Sequence, residues 1–358
     1  MICKDELTIY NMDKGHLIIM AGGIGGRFWP MSTPEMPKQF IDVLGVGKSL
    51  LQLTVERFIG VIPKAHIWVV TSKNYEKYVK MQLPYVKEEQ ILLEPCRRNT
   101  APCIAYVTYK IRRKYPNANV VFSPADHVVL DINVFQQVII NSLQFVSSTN
   151  SIVTLGMKPN RPETGYGYIK GEREKDLLIQ KVEEFKEKPE LAEAKRYLAE
   201  GSYYWNSGIF IGNVNAMISE FEQYVPELAL KFSCLNNIYF TASEQEVIDK
   251  EFGDCPNISI DYAIMEKSKN TYVCPASFGW SDLGTWGSLY TFLDKDRMGN
   301  AIVGNVVKLI DCENCMIHVP EEKKVVIQGL DDYIIAENEN TLLVCKKEME
   351  QLIKEWLL

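Results

Sequence analysis

The stretch that most constrains the fold of this chain lies at residues 16–40, where a short apolar run breaks into a cluster of glycines. The run from Leu17 to Met20 has the composition of a buried strand. Small residues follow it: Ala21, Gly22, Gly23, Gly25 and Gly26. Such a loop can turn sharply, and its free N–H groups can form a cradle for an anion. Because Arg27 and Lys38 add positive charge, the stretch predicts a phosphate site at the end of a strand.

Two better-known glycine motifs do not fit this loop. A dinucleotide-binding fingerprint would need a third glycine at the position of Phe28, which argues against an NAD-dependent oxidoreductase. A P-loop would need Lys and then Ser or Thr after Gly26, but Arg27 and Phe28 stand there. The loop therefore belongs to a third kind of phosphate site.

Size and charge exclude further classes of protein. With 358 residues, of which 46% are hydrophobic, the chain can bury a large core, and one large domain plus a small one is expected. The net charge of −7 argues against nucleic acid as the main partner. No apolar run approaches the ~18 residues that a membrane span needs, and the first residues lack a signal-peptide pattern. The nine cysteines therefore suggest free thiols in a reducing cytoplasm.

Cys312 and Cys315 form an isolated C-x-x-C pair. A structural zinc site would need two more ligands, and His318 alone does not complete one. We therefore expect both cysteines to be structural thiols.

Strands and amphipathic helices alternate through the first half of the chain. Short β-branched runs at 66–71, 91–93 and 119–122 predict buried strands between helices. This alternation indicates βαβ units and a mainly parallel sheet. Ligands of such sheets lie beyond the carboxyl ends of the strands, where residues 94–100 and 123–127 are expected together with the glycine loop.

The sequence GGIGGRFWPMS, followed by PKQF, resembles the signature of the sugar-1-phosphate nucleotidyltransferases, and PKQF is most similar to their mannose-1-phosphate guanylyltransferase branch. Further blocks resemble the family in the same order: EPCRRNTAP at 94–102, SPADH at 123–127, TGYGY at 164–168, VEEFKEKP at 182–189, WNSGIF at 205–210 and WSDLGTW at 280–286. One departure is Gly26, where the family usually carries Thr or Ser. The resemblance covers nearly the whole chain.

The resemblance implies an α/β fold in two parts. Residues 1–298 are expected to form a Rossmann-like nucleotide-diphospho-sugar transferase domain with a mainly parallel mixed sheet. Residues 299–358 contain short β-rich pieces and a terminal amphipathic helix, which implies a small C-terminal β-rich, β-helix-like domain.

The resemblance also implies an activity, namely Mg²⁺-dependent transfer of GMP from GTP to α-D-mannose 1-phosphate, which gives GDP-mannose and pyrophosphate. The expected catalytic residues are Arg27, Lys38, Asp126 and Asp282, and the two aspartates are the expected metal ligands. The nucleotide is assigned to Ala21, Gly22, Gly23, Gly25, Gly26, Glu94, Arg98, Asn99 and Thr100. The sugar phosphate is assigned to Gly167, Glu183, Lys188 and Asn206.

Several alternatives stay open at this point. The substrate could be heptose or glucose 1-phosphate, with guanylyl or thymidylyl transfer, or the chain could be a catalytically silent GDP-sugar-binding regulatory subunit. Asn99 and Thr100 could simply cap a helix, and the charged run at 183–188 could be a solvated face. Asp261 is expected to be structural, as a first-turn acid. The expected partners are GTP and mannose 1-phosphate, without nucleic acid or membrane, and a homodimer is compatible with the sequence.

Overall fold

The computed structural model describes residues 14–23, 25–172 and 177–356, apart from the side chains of Val306 and Lys354. The chain divides into two compact units. Unit 1 contains the chain up to Gly22, residues 56–124 and residues 129–280, whereas unit 2 contains residues 23–55, 125–128 and 281 onward. The glycine loop after Gly22 and the PKQF segment thus belong to the same unit as the C-terminal strands.

Unit 1 is built on a mixed sheet that has nine strands in the described part of the chain. Its strands are β1 (Gly15–Met20), β2 (Ile67–Ser72), β3 (Ile91–Glu94), β4 (Asn119–Pro124), β6 (Ile152–Met157), β7 (Tyr168–Gly171), β8 (Gln180–Lys186), β9 (Tyr203–Asn213) and β10 (Thr271–Ala276). Two short strands, β5 (Val128–Val129) and β11 (Trp280–Ser281), lie where the chain passes from one unit to the other.

The order of the strands in this sheet is β3-β2-β1-β4-β9-β6-β10-β8-β7. Parallel pairing joins β3, β2, β1 and β4, and it also joins β6 to β10. The other pairings, including those of β9 with β4, β6 and β7, are antiparallel. The sheet is therefore mixed as predicted, but it is not mainly parallel, because parallel pairing is limited to its first four strands and to the β6–β10 pair. Strands as close in sequence as β7 and β8 cannot be parallel neighbours, because a parallel pair needs a long crossover.

The helices have the following bounds: α1 (Leu50–Glu56), α2 (Glu76–Gln82), α3 (Thr100–Lys114), α4 (Ile132–Ser148), α5 (Leu191–Glu200), α6 (Val214–Tyr224), α7 (Pro226–Cys234), α8 (Glu244–Glu251) and α9 (Trp286–Phe292). A single π-helical turn spans Asp261–Met265, and the terminal helix Lys347–Trp356 is of the 3₁₀ type. The Ser49 hydroxyl accepts from the Gln52 N–H and the Gln52 side chain accepts from the Ser49 N–H, and these two bonds form a capping box before α1. Among the described residues no helix is both long and apolar enough to cross a membrane.

The core of unit 1 lies between the sheet and α3. Every side chain from Ala101 to Ile111 is buried, and this face of α3 packs on Ile18, Trp68 and Phe122 of the sheet. A helix that is buried on nearly all sides has little freedom to shift, so both of its ends are held in fixed positions.

The C-terminal part of unit 2 sorts its strands into two sheets. Their bounds are β12 (Ala301–Val303), β13 (Val306–Ile310), β14 (Met316–His318), β15 (Lys324–Gln328), β16 (Tyr333–Asn338) and β17 (Thr341–Lys346). Successive parallel strands alternate between the sheets, since β12, β14 and β16 pair in one and β13 and β15 in the other. The antiparallel strand β17 ends the first sheet.

The two cysteines of the C-x-x-C pair are buried between these sheets. The thiol of Cys312 donates to the Ile327 carbonyl oxygen at 3.4 Å, and the thiol of Cys315 donates to the Glu313 carbonyl oxygen at 3.2 Å. Within the described ranges no group of three or more His, Cys, Asp or Glu side chains is placed to hold a metal ion. The burial and the hydrogen bonds of both thiols agree with the expected structural role.

Candidate active site

The glycine loop in unit 2 is held in place by Ser32 and by residues of the PKQF segment. Gly25 has a φ of +67°, and a Cβ there would lie 2.4 Å from the Cβ of Lys38, so only glycine fits this turn. The Ser32 hydroxyl donates to the Gly25 carbonyl oxygen at 2.6 Å, and the Gln39 amide donates to the Gly23 carbonyl oxygen at 2.9 Å. At Gly26 a Cβ would meet nothing within 4 Å, so the Thr or Ser usual at this position would fit.

Lys38 lies at the centre of the unit 2 site. Its ammonium lies 3.0 Å from the Asp126 carboxylate and donates to the carbonyl oxygens of Asp282 and Leu283 at 2.8 and 2.9 Å. The side chain is only 3% exposed. An ammonium has three N–H donors, so these acceptors use all of them. These contacts join Lys38 to two chain segments, whereas the sequence suggested a direct contact with the triphosphate.

Asp126 and Asp282, the two predicted metal ligands, lie around this ammonium. The Asp126 carboxylate oxygen and the Asp282 carbonyl oxygen are at most about 6 Å apart, because each lies within about 3 Å of the same nitrogen. Burial would raise the pKa of Asp126, but the Lys38 ammonium and the neighbouring His127 hold it below its usual range. One third of the Asp126 side chain is still exposed, so its ionised carboxylate can accept a further ligand.

Asp282 is oriented by its own loop, which follows the end of β11. The Asp282 carboxylate accepts from the Gly284 N–H at 3.0 Å, and Leu283 adopts a φ of +44°. The following helix α9 begins with a capping box between Thr285 and Ser288. Trp286 packs against Phe28, with ring centroids 5.0 Å apart, and donates to the Trp29 carbonyl oxygen at 3.2 Å. The W-S-D-L-G-T-W block is thereby anchored to the chain that follows the glycine loop.

Arg27 lies next to these residues in sequence, in a 3₁₀ turn at Gly26–Phe28. Its side chain is partly exposed. In the part of the chain that the structure describes, no carboxylate lies within ion-pair distance of its guanidinium. Of the two predicted cations, Arg27 is thus the one whose charge is available to a phosphate.

Glu94, one of the residues that the sequence assigns to the nucleotide, lies in unit 1. Glu94 ends β3, is 8% exposed and has one carboxylate oxygen that is buried without a hydrogen-bond partner. A Cβ on Gly22 would lie 3.3 Å from its other oxygen, so a residue larger than glycine at position 22 would crowd this carboxyl. Burial raises the pKa of Glu94 to about 8, and a hydrogen bond with Cys103 and the charge of Arg97 offset this only in part. Glu94 is a buried acid with an unused acceptor.

Three later residues of the same EPCRRNTAP block, Arg98, Asn99 and Thr100, stabilise the start of α3. Asn99 has a φ of 64°, and its side-chain oxygen accepts from the Thr100 N–H at 2.9 Å. The Thr100 hydroxyl accepts from the Ile260 N–H at 2.9 Å. The Arg98 guanidinium donates to the Gly253 carbonyl oxygen. All three side chains therefore have structural partners, and the alternative that Asn99 caps the helix is correct. The exposed amide of Asn99 and the hydroxyl hydrogen of Thr100 can still donate to a base.

A second group of polar residues in unit 1 surrounds Gly167. A Cβ at Gly167 would lie 2.5 Å from a carboxylate oxygen of Glu187 and 3.2 Å from the Asn206 side chain, so this position requires glycine. The Asn206 N–H donates to the Gly167 carbonyl oxygen at 2.8 Å. The ammonium of Lys188 contacts the Glu187 carboxylate, which is 7% exposed. Gly167, Lys188 and Asn206 thus lie together as predicted.

Glu183 does not belong to this group. It is exposed, and its nearest cation is Lys170 at 3.8 Å. On the paired strands Gly171 is opposite Val182 and Lys170 is opposite Glu184, so Glu183 lies in a β-bulge. A bulge breaks the alternation of side chains, and this one turns Glu183 away from the Gly167 group. The structure places Glu187, which the sequence reasoning missed, where Glu183 was expected.

Asp261 is the second residue that the sequence reasoning underrated. Its carboxylate accepts from the Asn206 amide at 2.9 Å, and the Asn206 oxygen accepts from Thr154 and Gly208 at 3.1 and 3.0 Å. Burial and the charge of Glu187 raise the pKa of Asp261 to about 7. The prediction that Asp261 is only a first-turn structural acid is incomplete, because this residue fixes the orientation of Asn206.

The family of the chain can be decided from its comparison with known proteins. The family model described as nucleotidyl transferase matches residues 16–298. The chain belongs to the nucleotidyl transferase family. A mannose-1-phosphate guanylyltransferase of Escherichia coli is 36% identical over 94% of this chain and 74% of its own length. The alginate biosynthesis protein AlgA of Pseudomonas syringae pv. tomato is 35% identical over 94% of this chain and 70% of its own length.

A solved structure from Thermus thermophilus has the same fold as this nucleotidyl transferase. It is described as a mannose-1-phosphate geranyltransferase, is 28% identical and superposes with a TM-score of 0.87. The match covers 96% of this chain and 98% of the Thermus chain, so the fold similarity includes both units.

Nucleotidyl transferases generally use a divalent metal. In this member the carboxylates of Asp126 and Asp282 have the hard oxygen donors that such an ion prefers. No third His, Cys, Asp or Glu joins them within the described residues. A divalent ion such as Mg²⁺ commonly takes one or two carboxylates and completes its shell with phosphate oxygens and water, so donors of this kind fit such an ion.

Proposed function

We propose that this nucleotidyl transferase transfers GMP from GTP to α-D-mannose 1-phosphate, giving GDP-mannose and pyrophosphate. The observation that carries this proposal is the 36% identity with the Escherichia coli guanylyltransferase over 94% of the chain. Groups of residues within each unit support it. Unit 2 offers two carboxylates and the partly exposed guanidinium of Arg27, while unit 1 offers a buried acid for a base and a polar group around Gly167 for a sugar.

In the proposed reaction a phosphate oxygen of mannose 1-phosphate attacks the α-phosphorus of GTP in line, and the bond to the β-phosphate oxygen breaks to release pyrophosphate. The attacking phosphate is already ionised, so no general base and no covalent enzyme intermediate are needed. The protein therefore acts by positioning the substrates and neutralising charge. Arg27 binds the triphosphate, Lys188 the incoming sugar phosphate, and Lys38 holds Asp126 and the 282–283 segment in register.

Asp126 and Asp282 would hold a Mg²⁺ ion, which when bound neutralises phosphate charge. Because Lys38 already lies on the Asp126 carboxylate, the site carries a compensating charge before any ion arrives. We therefore expect Mg²⁺ to bind weakly to the protein alone and more tightly together with GTP.

The remaining expectations concern organisation. We propose that residues 1–298 carry the catalysis and that residues 299–358 form a short β-helix-like domain, which the alternation of β12 to β16 between two parallel sheets supports. A cytoplasmic location and a homodimer stay predictions.

The proposal is tested by the release of pyrophosphate with each of the four nucleoside triphosphates and with mannose, glucose and heptose 1-phosphates. We expect GTP with mannose 1-phosphate to give the highest kcat/KM. Equal turnover with dTTP or ATP would place the protein outside the guanylyl branch, because a pocket built for one base edge leaves polar groups unpaired with another. Tight binding of GDP-mannose without turnover of any pair would instead identify a regulatory subunit.

The KM for GTP is expected to depend on pH through the ionisation of Glu94. A guanine edge presents N–H donors, so the ionised form of Glu94 is the form that binds it. Because the pKa of Glu94 is raised to about 8, this form becomes more abundant as the pH rises towards that value. We expect the KM for GTP to fall about tenfold between about pH 6.5 and about pH 8.5. Glu94→Gln should have a higher KM for GTP, and this KM should not fall over the same pH range. Identical pH profiles for the two proteins would contradict the role of Glu94.

The sugar site is tested by two matched substitutions in one charged run. Glu187→Gln removes a buried anionic acceptor beside Gly167, and we expect the KM for mannose 1-phosphate to rise about tenfold or more. Glu183→Gln removes an exposed carboxylate that lies 3.8 Å from the Lys170 ammonium. Because exposed ion pairs of this kind contribute little, it should change the KM less than about twofold. If Glu183→Gln has the larger effect, the assignment of Glu187 is wrong.

A further inference from the structure

A cavity of about 400 Å³ lies at the C-terminal end of α3 in unit 1. It is lined by Tyr109, Arg112, Arg113, Pro116, Ser233 and Asn236. The first three follow the spacing of one face of α3, and Pro116 lies two residues after the helix ends. The other two come from the last turn of α7 and the residues that follow it. The cavity is thus a cleft between two helix ends, of a volume that suits a small metabolite.

Two cations of this cleft are available to a ligand. Arg112 and Arg113 are both exposed, and in the described ranges no carboxylate lies within ion-pair distance of either. The next residue, Lys114, is different, because its ammonium lies 2.8 Å from Glu89. The chain as a whole has a net charge of −7, whereas two adjacent guanidinium groups without an acidic partner in the described ranges make the cavity locally positive. Guanidinium groups bind phosphate in a two-pronged arrangement.

Tyr109 provides an independent indication of a ligand. The side chain is only 5% exposed, and its hydroxyl is buried without a hydrogen-bond partner. Buried polar groups are rarely left unpaired, so an orphan hydroxyl on a residue that lines the cavity is a feature that a ligand would explain. Burial and the charge of Glu222 raise the pKa of Tyr109 to about 12, so the hydroxyl keeps its proton and acts as a donor.

The remaining polar groups define what else the ligand carries. The Ser233 hydroxyl donates to the Leu230 carbonyl oxygen at 2.9 Å, so towards the cavity its oxygen can only accept. The side-chain amide of Asn236 can donate or accept. Basic residues in the last turn of a helix often just complement the helix dipole. That explanation accounts for the charges on α3, but it leaves the cavity and the buried hydroxyl unexplained.

We propose that this cleft binds a small phosphate monoester that also carries hydroxyl groups, with its phosphate on Arg112 and Arg113. Tyr109 and Asn236 donate to the ligand, and Ser233 accepts from one of its hydroxyls. The site is separate from the residues assigned to the base at the other end of α3, because a 15-residue helix is about 22 Å long. It stands independently of the proposed GMP transfer.

The test combines calorimetric titration of the whole chain with hydrogen exchange, using inorganic phosphate and a hexose 6-phosphate as separate probes. We expect both probes to slow exchange at residues 109–116 and 233–236, and the hexose phosphate to bind more tightly. The double substitution Arg112→Ala with Arg113→Ala should weaken this binding about tenfold or more, since each removes a charge-assisted hydrogen bond. Tyr109→Phe should weaken it by a smaller factor.

Lys114→Ala is the matched control, because it removes a cation from the same helix turn that is already paired with Glu89. It should bind both probes as the unchanged protein does. The proposal is overturned if the double variant keeps the protection at these segments, or if Lys114→Ala loses as much binding, which would indicate only diffuse attraction. Equal affinity for both probes would overturn the assignment of a monoester with hydroxyl groups.

Discussion

Asp126→Asn is expected to lower the kcat/KM of GMP transfer by about 10²–10³-fold, comparable to the loss of one preorganised electrostatic group in other active sites. Asparagine keeps the shape of the side chain but removes the negative charge that the metal ligand role requires. Asp282→Asn should have an effect of similar size. If the two carboxylates act on one ion, the double variant should be little slower than either single variant, because residues that act as a unit are not additive.

The measurement is steady-state pyrophosphate release together with the binding of Mn²⁺ in the presence of GTP, which reports the ion directly. Asp131→Asn is a suitable control, because Asp131 caps α4 through the Val134 N–H at 3.0 Å and asparagine caps a helix equally well. Effects of Asp126→Asn and Asp282→Asn that multiply in the double variant would show two independent roles. A single variant that keeps kcat/KM within about threefold would refute the metal role of that residue.

Lys38→Met should affect stability as well as activity. The substitution removes the counter-ion of the Asp126 carboxylate and the hydrogen bonds that Lys38 donates to the carbonyl oxygens of Asp282 and Leu283. Removing one partner of a buried ion pair lowers stability by about 3–5 kcal/mol, and the exposed third of Asp126 should place the loss near the lower end. We expect activity to fall about 10²–10³-fold, because the segment that carries Asp282 loses the hydrogen bonds that Lys38 donates to it.

Arg27→Met provides the contrast that separates positioning from phosphate binding. Arg27 has no acidic partner in the described residues, so this variant should melt within a few degrees of the unchanged protein and show a raised KM for GTP. Thermal unfolding of the free protein is the decisive readout for Lys38→Met, since a direct phosphate ligand would leave it unchanged. Lys38→Arg should recover little of the lost stability or activity, because a planar guanidinium group cannot take the place of a compact ammonium that has three acceptors around it.

Local features of this protein could be predicted from its sequence. The capping box at Ser49 and Gln52, the strands that precede each proposed site and the left-handed turn at Gly25 are encoded mainly by neighbours within a few residues. Gly25 is an example, because a turn of that kind favours glycine whatever the rest of the chain does. The parallel order of β3, β2, β1 and β4 also follows from the alternation of strands and helices.

The features that the sequence did not predict depend on contacts between distant residues. Phe185 marks the inward face of β8, and simple alternation puts both Glu183 and Glu187 on that face. The bulge opposite Gly171 takes Glu183 off that face. A bulge depends on how two strands pair, so it cannot be predicted from the sequence of β8 alone. Asp261 is similar, because its contact with Asn206 joins residues 55 positions apart. A π-helical turn, which is often found at functional sites, marks the position in the structure.

The role of Lys38 also had to come from the structure. A lysine near a glycine loop predicts phosphate binding equally well whether its ammonium is free or occupied. The acceptors that occupy it come from residues 126, 282 and 283, which are distant in sequence. A buried ammonium with three acceptors has no donor left, so burial and geometry decide its role, and neither can be read from the motif.

The central claim is that the α-phosphorus of GTP passes to mannose 1-phosphate, and labelled GTP tests it most directly. With GTP labelled at the α-phosphate, the account predicts that the label appears in GDP-mannose only when mannose 1-phosphate is present. With GTP labelled at the γ-phosphate, the label should appear in pyrophosphate. Release of the γ-label as inorganic phosphate, or an α-label that stays in GTP while mannose 1-phosphate is present, would contradict the proposed guanylyl transfer.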